Sequence, residues 1–315
     1  MLRWVVANWF RQSTQEALRE FLRSAAAGSG DRESHGERPQ DRHGTRDQKV
    51  HAESSLPIPV QDVRRDVAIV CALGAEAGGL VDRMQDVVTQ KCSTYVETCG
   101  LLGTRSVVIA QCGIGQRHAA QATTDVITVS RPLCVISAGF AVALHDTLRR
   151  GQIVLGDSVT NNQRDALDLG LRLDPSVQQQ PGLHVGRIAT VNRLLSHPDE
   201  KQRLHHQTEA IVADLDTYAV ATVCRQRGVP FLAVRVVSDV LADAMPSDLE
   251  RLLGHNSLAG KLGAAAAALT RRPSGLVDLW QMKEDALKAS DRLAKFLEQM
   301  SAQLPRHPHP EPPVA

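Results

Sequence analysis

Short apolar runs rich in β-branched residues recur through the middle of the chain, with no polar position alternating inside them. They are VAIVCAL (67–73), RSVVIAQC (105–112), PLCVISAGF (132–140), GQIVLGDSV (151–159), AIVADL (210–215) and VPFLAVRVVSD (229–239). Runs of this length and composition suit strands buried on both faces. Between them the pattern changes: GIGQRHAAQATTDVITV (113–129) reads as a glycine turn opening a helix, and 216–227 as a second helix. Apolar strands alternating with helices predict an α/β sheet covered on both sides.

The ends read differently. Residues 1–27 favour an amphipathic helix, with Val6, Trp9, Phe10, Ala17 and Phe21 broadly to one side. Positions 28–58 predict a disordered polar linker, since between 28 and 55 only Val50 and Ala52 are aliphatic and nothing offsets the entropy of ordering. The globular domain spans 62–272 and includes a helix over 257–271. A C-terminal amphipathic helix over 273–304 carries the stripe Leu279, Met282, Ala286, Leu293, Phe296 and Met300, broken at Ser290. The proline-rich stretch 305–315 predicts a disordered tail, and no internal repeat is present.

Composition narrows the function. A chain of 315 residues with 43% hydrophobic content can bury one substantial core. Its 36 Lys and Arg nearly cancel its 35 Asp and Glu, so no global field draws it to nucleic acid, and a small-molecule partner is expected. The six cysteines contain no CxxC pair and sit mostly in apolar runs, as reduced core residues of a cytoplasmic protein do. No stretch reaches the roughly 18 apolar residues of a membrane span, and Asn8, Arg11 and Gln12 interrupt the N-terminal apolar residues where a signal peptide would be continuous. Neither His118 nor His205-His206 has partners at ligand spacing, so no metal and no cofactor are expected.

Ligands of parallel α/β sheets bind outside the carboxyl ends of the strands, which directs attention to the polar residues there. The first run ends at Gly74-Ala75-Glu76, the second at Cys112 and Gly113-Ile114-Gly115, the third at Gly139-Phe140-Ala141, the fifth at Asp216 and the sixth at Ser238-Asp239. Three carboxylates would therefore share one edge, where proximity and burial separate their pKa values and suit them to acid and base roles. An acid after a strand is also a common helix N-cap, a reading most open for Asp216 and less so for Glu76 and Asp239. Gly113-Ile114-Gly115 does not complete a GxGxxG dinucleotide fingerprint, because position 118 is His. Cys112 beside it either touches a ligand or packs in the core.

The order of these motifs resembles the nucleoside phosphorylase superfamily, specifically its methylthioadenosine/S-adenosylhomocysteine nucleosidase branch. The likeness rests on VAIVCALGAEAGGL (67–80), QCGIGQRHAA (111–120), SAGFAVAL (137–144) with RRGQIVLGD (149–157), ADLDTYAVATVC (213–224) and FLAVRVVSD (231–239). It implies a three-layer fold with a mixed, mainly parallel twisted sheet, a homodimer, and release of adenine from 5′-modified adenosines as in methionine salvage. By that resemblance Glu76, nearer solvent and ionised, activates water, Asp216 grips the ribose hydroxyls above Leu215, and Asp239, oriented by Ser238 and with its pKa raised by burial, protonates the purine at N7. Cys112, Gly113, Gly139 and Phe140 fall to the substrate-binding set.

This chain departs from the family pattern in two places. Leu215-Asp216 replaces Met-Glu, which shortens the ribose acid by one carbon, and Gly139-Phe140-Ala141-Val142-Ala143 replaces Gly-Ser-Ala-Gly-Gly. Phosphorylases of the superfamily hold phosphate with an Arg two residues before the turn glycine and a Ser directly after it. Here those positions are Ser137 and Phe140, which favours hydrolysis. The Gly139–Leu144 stretch also resembles hopanoid-associated phosphorylases, which act on a lipid-linked adenosine. On that alternative the Trp4/Trp9/Phe10 helix would make a peripheral membrane contact. A nucleoside-binding protein weakened in catalysis is the third reading.

Overall fold

The computed structural model describes residues 64–161, 166–171, 180–243 and 275–307, with side chains from 284 onward in the last segment. The expected N-terminal helix, the linker, the 257–271 helix and most of the proline-rich tail lie outside the described residues. The elements are β1 (Val67–Cys71), α1 (Gly74–Val81), β2 (Met84–Lys91), β3 (Val96–Leu102), β4 (Arg105–Gln111), α2 (Gln116–Ser130), β5 (Cys134–Ala143) and β6 (Ile153–Thr160). They continue with β7 (Ala166–Asp168), β8 (Leu183–Thr190), α3 (Pro198–Thr208), β9 (Val212–Asp214), α4 (Thr217–Arg227), β10 (Phe231–Asp239) and α5 (Gly275–Ser301).

The sheet is mixed around a parallel centre. β4, β1, β5 and β10 pair in parallel in that order, and β3 and β2 extend the β4 side as antiparallel strands. On the other side β10 pairs with β6, β6 with β8, β8 with β9, and β9 returns antiparallel to β5. Five strands thus close on themselves, which leaves that half of the sheet without a free edge. One core layer packs Leu80 of α1 and Leu293, Leu297 and Met300 of α5 against the sheet. The opposite layer packs Ala119 and Val126 of α2 and Val220 and Cys224 of α4. This is the three-layer α/β architecture expected.

Several elements escaped the pattern. β2 is exposed at seven of its eight positions, so ladder hydrogen bonds to β3 hold it and burial leaves no apolar signature. β8 is half-buried over much of its length for the same reason, and α1 holds three glycines in eight residues. One of them explains the helix: a Cβ on Gly79 would meet the Ser290 backbone and hydroxyl at 3.0 Å, so glycine lets α1 approach α5 closely. Ser290, the polar break in the α5 stripe, is buried there and its hydroxyl accepts the Gly79 N–H at 3.1 Å.

The turn expected at Gly139-Phe140-Ala141 is a strand instead. β5 runs on to Ala143, because β10 pairs with it through Val142 and β9 pairs with Val142 and Ala143. The local sequence signals a stop; two neighbouring strands override it.

Candidate functional site

The carboxyl ends of β1, β5 and β10 open into a cavity of about 340 Å³, which the N-terminus of α1, the loop after β8 and α5 complete. Glu76, Phe140, Leu215, Asp216, Ser238 and Asp239 all line it. The expected convergence of three carboxylates is therefore present in the fold.

Glu76 is the third residue of α1, where a glutamate can fold back onto the start of its own helix. Its Oε2 accepts the Ala72 N–H at 2.9 Å and the Leu73 N–H at 2.8 Å. Its Oε1 accepts the Phe140 N–H at 2.8 Å from β5. Gly139 does not line the cavity but makes that reach geometrically open: a Cβ there would lie 2.5 Å from Glu76 Oε1. Gly139→Ala must therefore displace the carboxylate. Activity is expected to fall about 10²-fold, the usual cost of a misplacement near 1 Å, with stability reduced by overpacking. Steady-state kinetics beside thermal unfolding checks this, and unchanged turnover would remove the steric argument.

The burial order differs from expectation. Glu76, taken to be the more solvated acid, is 7% exposed, whereas Asp239 is half-buried. Burial raises the pKa of Glu76 above the ordinary carboxylate value, against the opposing pull of the Phe140 and Leu73 N–H groups and the Arg235 charge. The capping roles are also exchanged. Asp216 stands at the N-cap of α4 without a side-chain cap bond, while Glu76 serves the backbone at the start of α1.

Asp216 is held instead by Arg235, which is buried in β10 and donates from Nη2 to Asp216 Oδ1 at 2.6 Å. The same guanidinium donates to Asp214 Oδ2 at 2.7 Å and to the Ser137 hydroxyl at 2.7 Å. Asp214, which the sequence did not single out, also accepts from the hydroxyls of Thr190 and Thr217. Burial raises Asp216, Arg235 opposes that shift, and the Asp214 and Glu76 charges add to it. At the cavity floor two acids thus share one buried cation, whose charge also reaches Glu76.

Ser238 donates to Asp239 Oδ2 at 2.7 Å, consistent with its expected orienting part. A bulge between Val237 and Asp239 in the β5 ladder turns these residues out of the sheet. Cys112 and Gly113 are not brought to the cavity. The Cys112 thiol donates to the Cys71 carbonyl at 3.2 Å within the core, and burial pushes its pKa to about 12. Gly113 bonds back to the Ala72 carbonyl with φ of 85°, so it shapes the turn while Ile114 reaches the cavity. Arg150, Asp285 and Ala286 also line the cavity and were missed; α5 carries the last two, over 30 residues from any strand-end motif.

Residues 66–271 match the family model described as the phosphorylase superfamily. The chain is 26% identical over 215 residues to the 5′-methylthioadenosine/S-adenosylhomocysteine nucleosidase of Bacillus cereus, covering 61% of this chain and 93% of that protein. It is 26% identical over 211 residues to the enzyme of the same name from Staphylococcus haemolyticus, covering 60% and 92%. Among solved structures, a Helicobacter pylori nucleosidase of this kind superposes with a TM-score of 0.58 at 18% identity, over 76% of this chain and 99% of that one. Futalosine hydrolase of the same organism gives 0.54 at 17% identity, over 77% and 99%. At these identities the superpositions speak for the fold.

Proposed function

Because this chain belongs to the phosphorylase superfamily, and its relatives are nucleosidases, we propose that it hydrolyses the N-glycosidic bond of 5′-modified adenosines and releases adenine. One observation carries the choice of water over phosphate. At the end of β5 the Phe140 N–H already donates to a buried glutamate, and the neighbouring Ser137 hydroxyl is engaged by Arg235. A phosphate brought there would meet a carboxylate where it needs a donor. A water held by that carboxylate meets an acceptor.

The chemistry follows from charge. As the C1′–N9 bond lengthens, positive charge grows on the sugar and the bonding pair moves to the purine. Asp239 passes a proton to N7, which makes the purine a neutral leaving group, and Ser238 fixes the carboxyl that gives it. Glu76 accepts a proton from water as its oxygen bonds to C1′. Asp216, anchored by Arg235, faces the ribose hydroxyls with Leu215 beneath the sugar. An aspartate facing the base can donate to N7 and accept from an exocyclic 6-amino group, which favours adenine over guanine.

Incubating the purified chain with 5′-methylthioadenosine, with and without phosphate, tests the reading. Adenine release at the same rate in both is expected. Strict dependence on phosphate would make the protein a phosphorylase, and binding without release would make it a nucleoside-binding protein.

A further inference from the structure

Lys201 of α3 is, among the described residues, one of the two largest fully buried side chains, and the reaction outlined above does not use it. Its ammonium donates to the Val240 carbonyl at 2.9 Å and to the Asp243 carbonyl at 2.8 Å. Those carbonyls belong to the turn that begins one residue after Asp239. The turn is closed on itself, since Asp243 N–H donates to Val240 O at 3.1 Å and Asp243 Oδ2 accepts the Val240 N–H at 2.9 Å. Asp243 Oδ2 also accepts from Arg150 at 2.6 Å, and Arg150 reaches Asp285 of α5 at 2.9 Å.

Two carbonyls could be satisfied by a neutral amide. A buried ammonium costs several kcal/mol of lost hydration unless negative charge offsets it. The acids whose charge reaches it are Asp239 and Asp243, and Arg150 adds a repelling charge. Asp243 is already paired with Arg150, whose charge also reaches Asp239, and Lys201 adds a second positive charge on the side of the Asp239 carboxyl. Lys201 thus braces the chain just beyond Asp239 and supplies positive charge near it.

We infer that Lys201 is a positioning residue for Asp239: it fixes the direction of that carboxyl through the 240–243 turn, and its charge favours the anion left when the proton passes to the purine. The inference rests on the proposed role of Asp239 as proton donor.

A substrate that needs no proton on its leaving group separates this role from simple structural support. In Lys201→Met, turnover of 5′-methylthioadenosine is expected to fall about 10–10²-fold, from a misplaced acid. Turnover of a 5′-methylthio p-nitrophenyl riboside, whose phenolate leaves unprotonated, should change less than about twofold on the same grounds. Introduced into Asp239→Ala, Lys201→Met should add almost nothing, because the two act as one unit. Lys201→Gln keeps a donor without the charge and gives the same comparison should the Met variant not fold. Equal losses on both substrates, or full additivity with Asp239→Ala, would overturn the inference while leaving Asp239 as the acid. Normal 5′-methylthioadenosine turnover by Asp239→Ala alone would overturn both.

Discussion

Glu76→Gln is expected to lower adenine release by about 10²–10⁴-fold, the range for loss of a general base, while the affinity for substrate stays within a few-fold. The substitution is not structurally silent. Both carboxylate oxygens accept backbone N–H groups, so an amide must turn its NH₂ toward either Phe140 or the Ala72–Leu73 pair and set donor against donor. A stability loss of about 1–3 kcal/mol should accompany the kinetic one. Calorimetric titration with a nucleoside, beside turnover measured well below the melting temperature, separates the two effects. The wild-type pH profile carries the same signature. A base whose pKa is raised by burial must lose activity as pH falls through a value above the ordinary glutamate range, and Glu76→Gln should abolish that limb. Turnover close to wild type in the Gln variant would exclude Glu76 as the base.

Arg235→Met is expected to destabilise the fold by about 3–5 kcal/mol, because it leaves buried acids without their cation. The guanidinium is 1% exposed and ties Asp214 on β9, Asp216 at the start of α4 and Ser137 on β5 to β10. Those four elements meet at the cavity floor, and their like charges would be left facing one another. Native domains are stable by only about 5–15 kcal/mol, so this one change removes a large fraction of the total. Lysine is no substitute, since a point charge cannot make the forked contacts to Asp214 and Asp216 together. Adding Asp214→Asn to Arg235→Met should recover part of the loss by removing one orphaned charge. Urea denaturation of the three variants gives the comparison. A loss under about 1 kcal/mol for Arg235→Met would mean that solvent reaches the network and screens it.

What the sequence determined was the architecture of the parallel centre and the identity of the acids. β1, β4, β5 and β10 are buried over most of their length on both faces, so apolar positions follow one another without alternation and the run itself is the signal. An acid that follows such a run stands at the sheet's carboxyl edge, which is why Glu76, Asp216 and Asp239 were legible by position as acids lining the cavity. The hairpin strand β2 was not, since an edge held by ladder bonds carries no hydrophobic period. Neither the extension of β5 nor the state of each acid could be read along the chain. Which carboxylate lies deep, which one a cation grips and which one bonds to backbone depend on contacts between residues 64 apart, as for Glu76 and Phe140, or 19 apart, as for Asp216 and Arg235. Cys112 shows the converse. It stands beside a strand end as the acids do, yet its thiol turns into the core, because neighbouring positions on a strand face opposite sides of the sheet and only packing decides which side holds the cavity. Burial and charge pairing are properties of the assembled layers, and they alone separate an acid that can hold a proton from one that caps a helix.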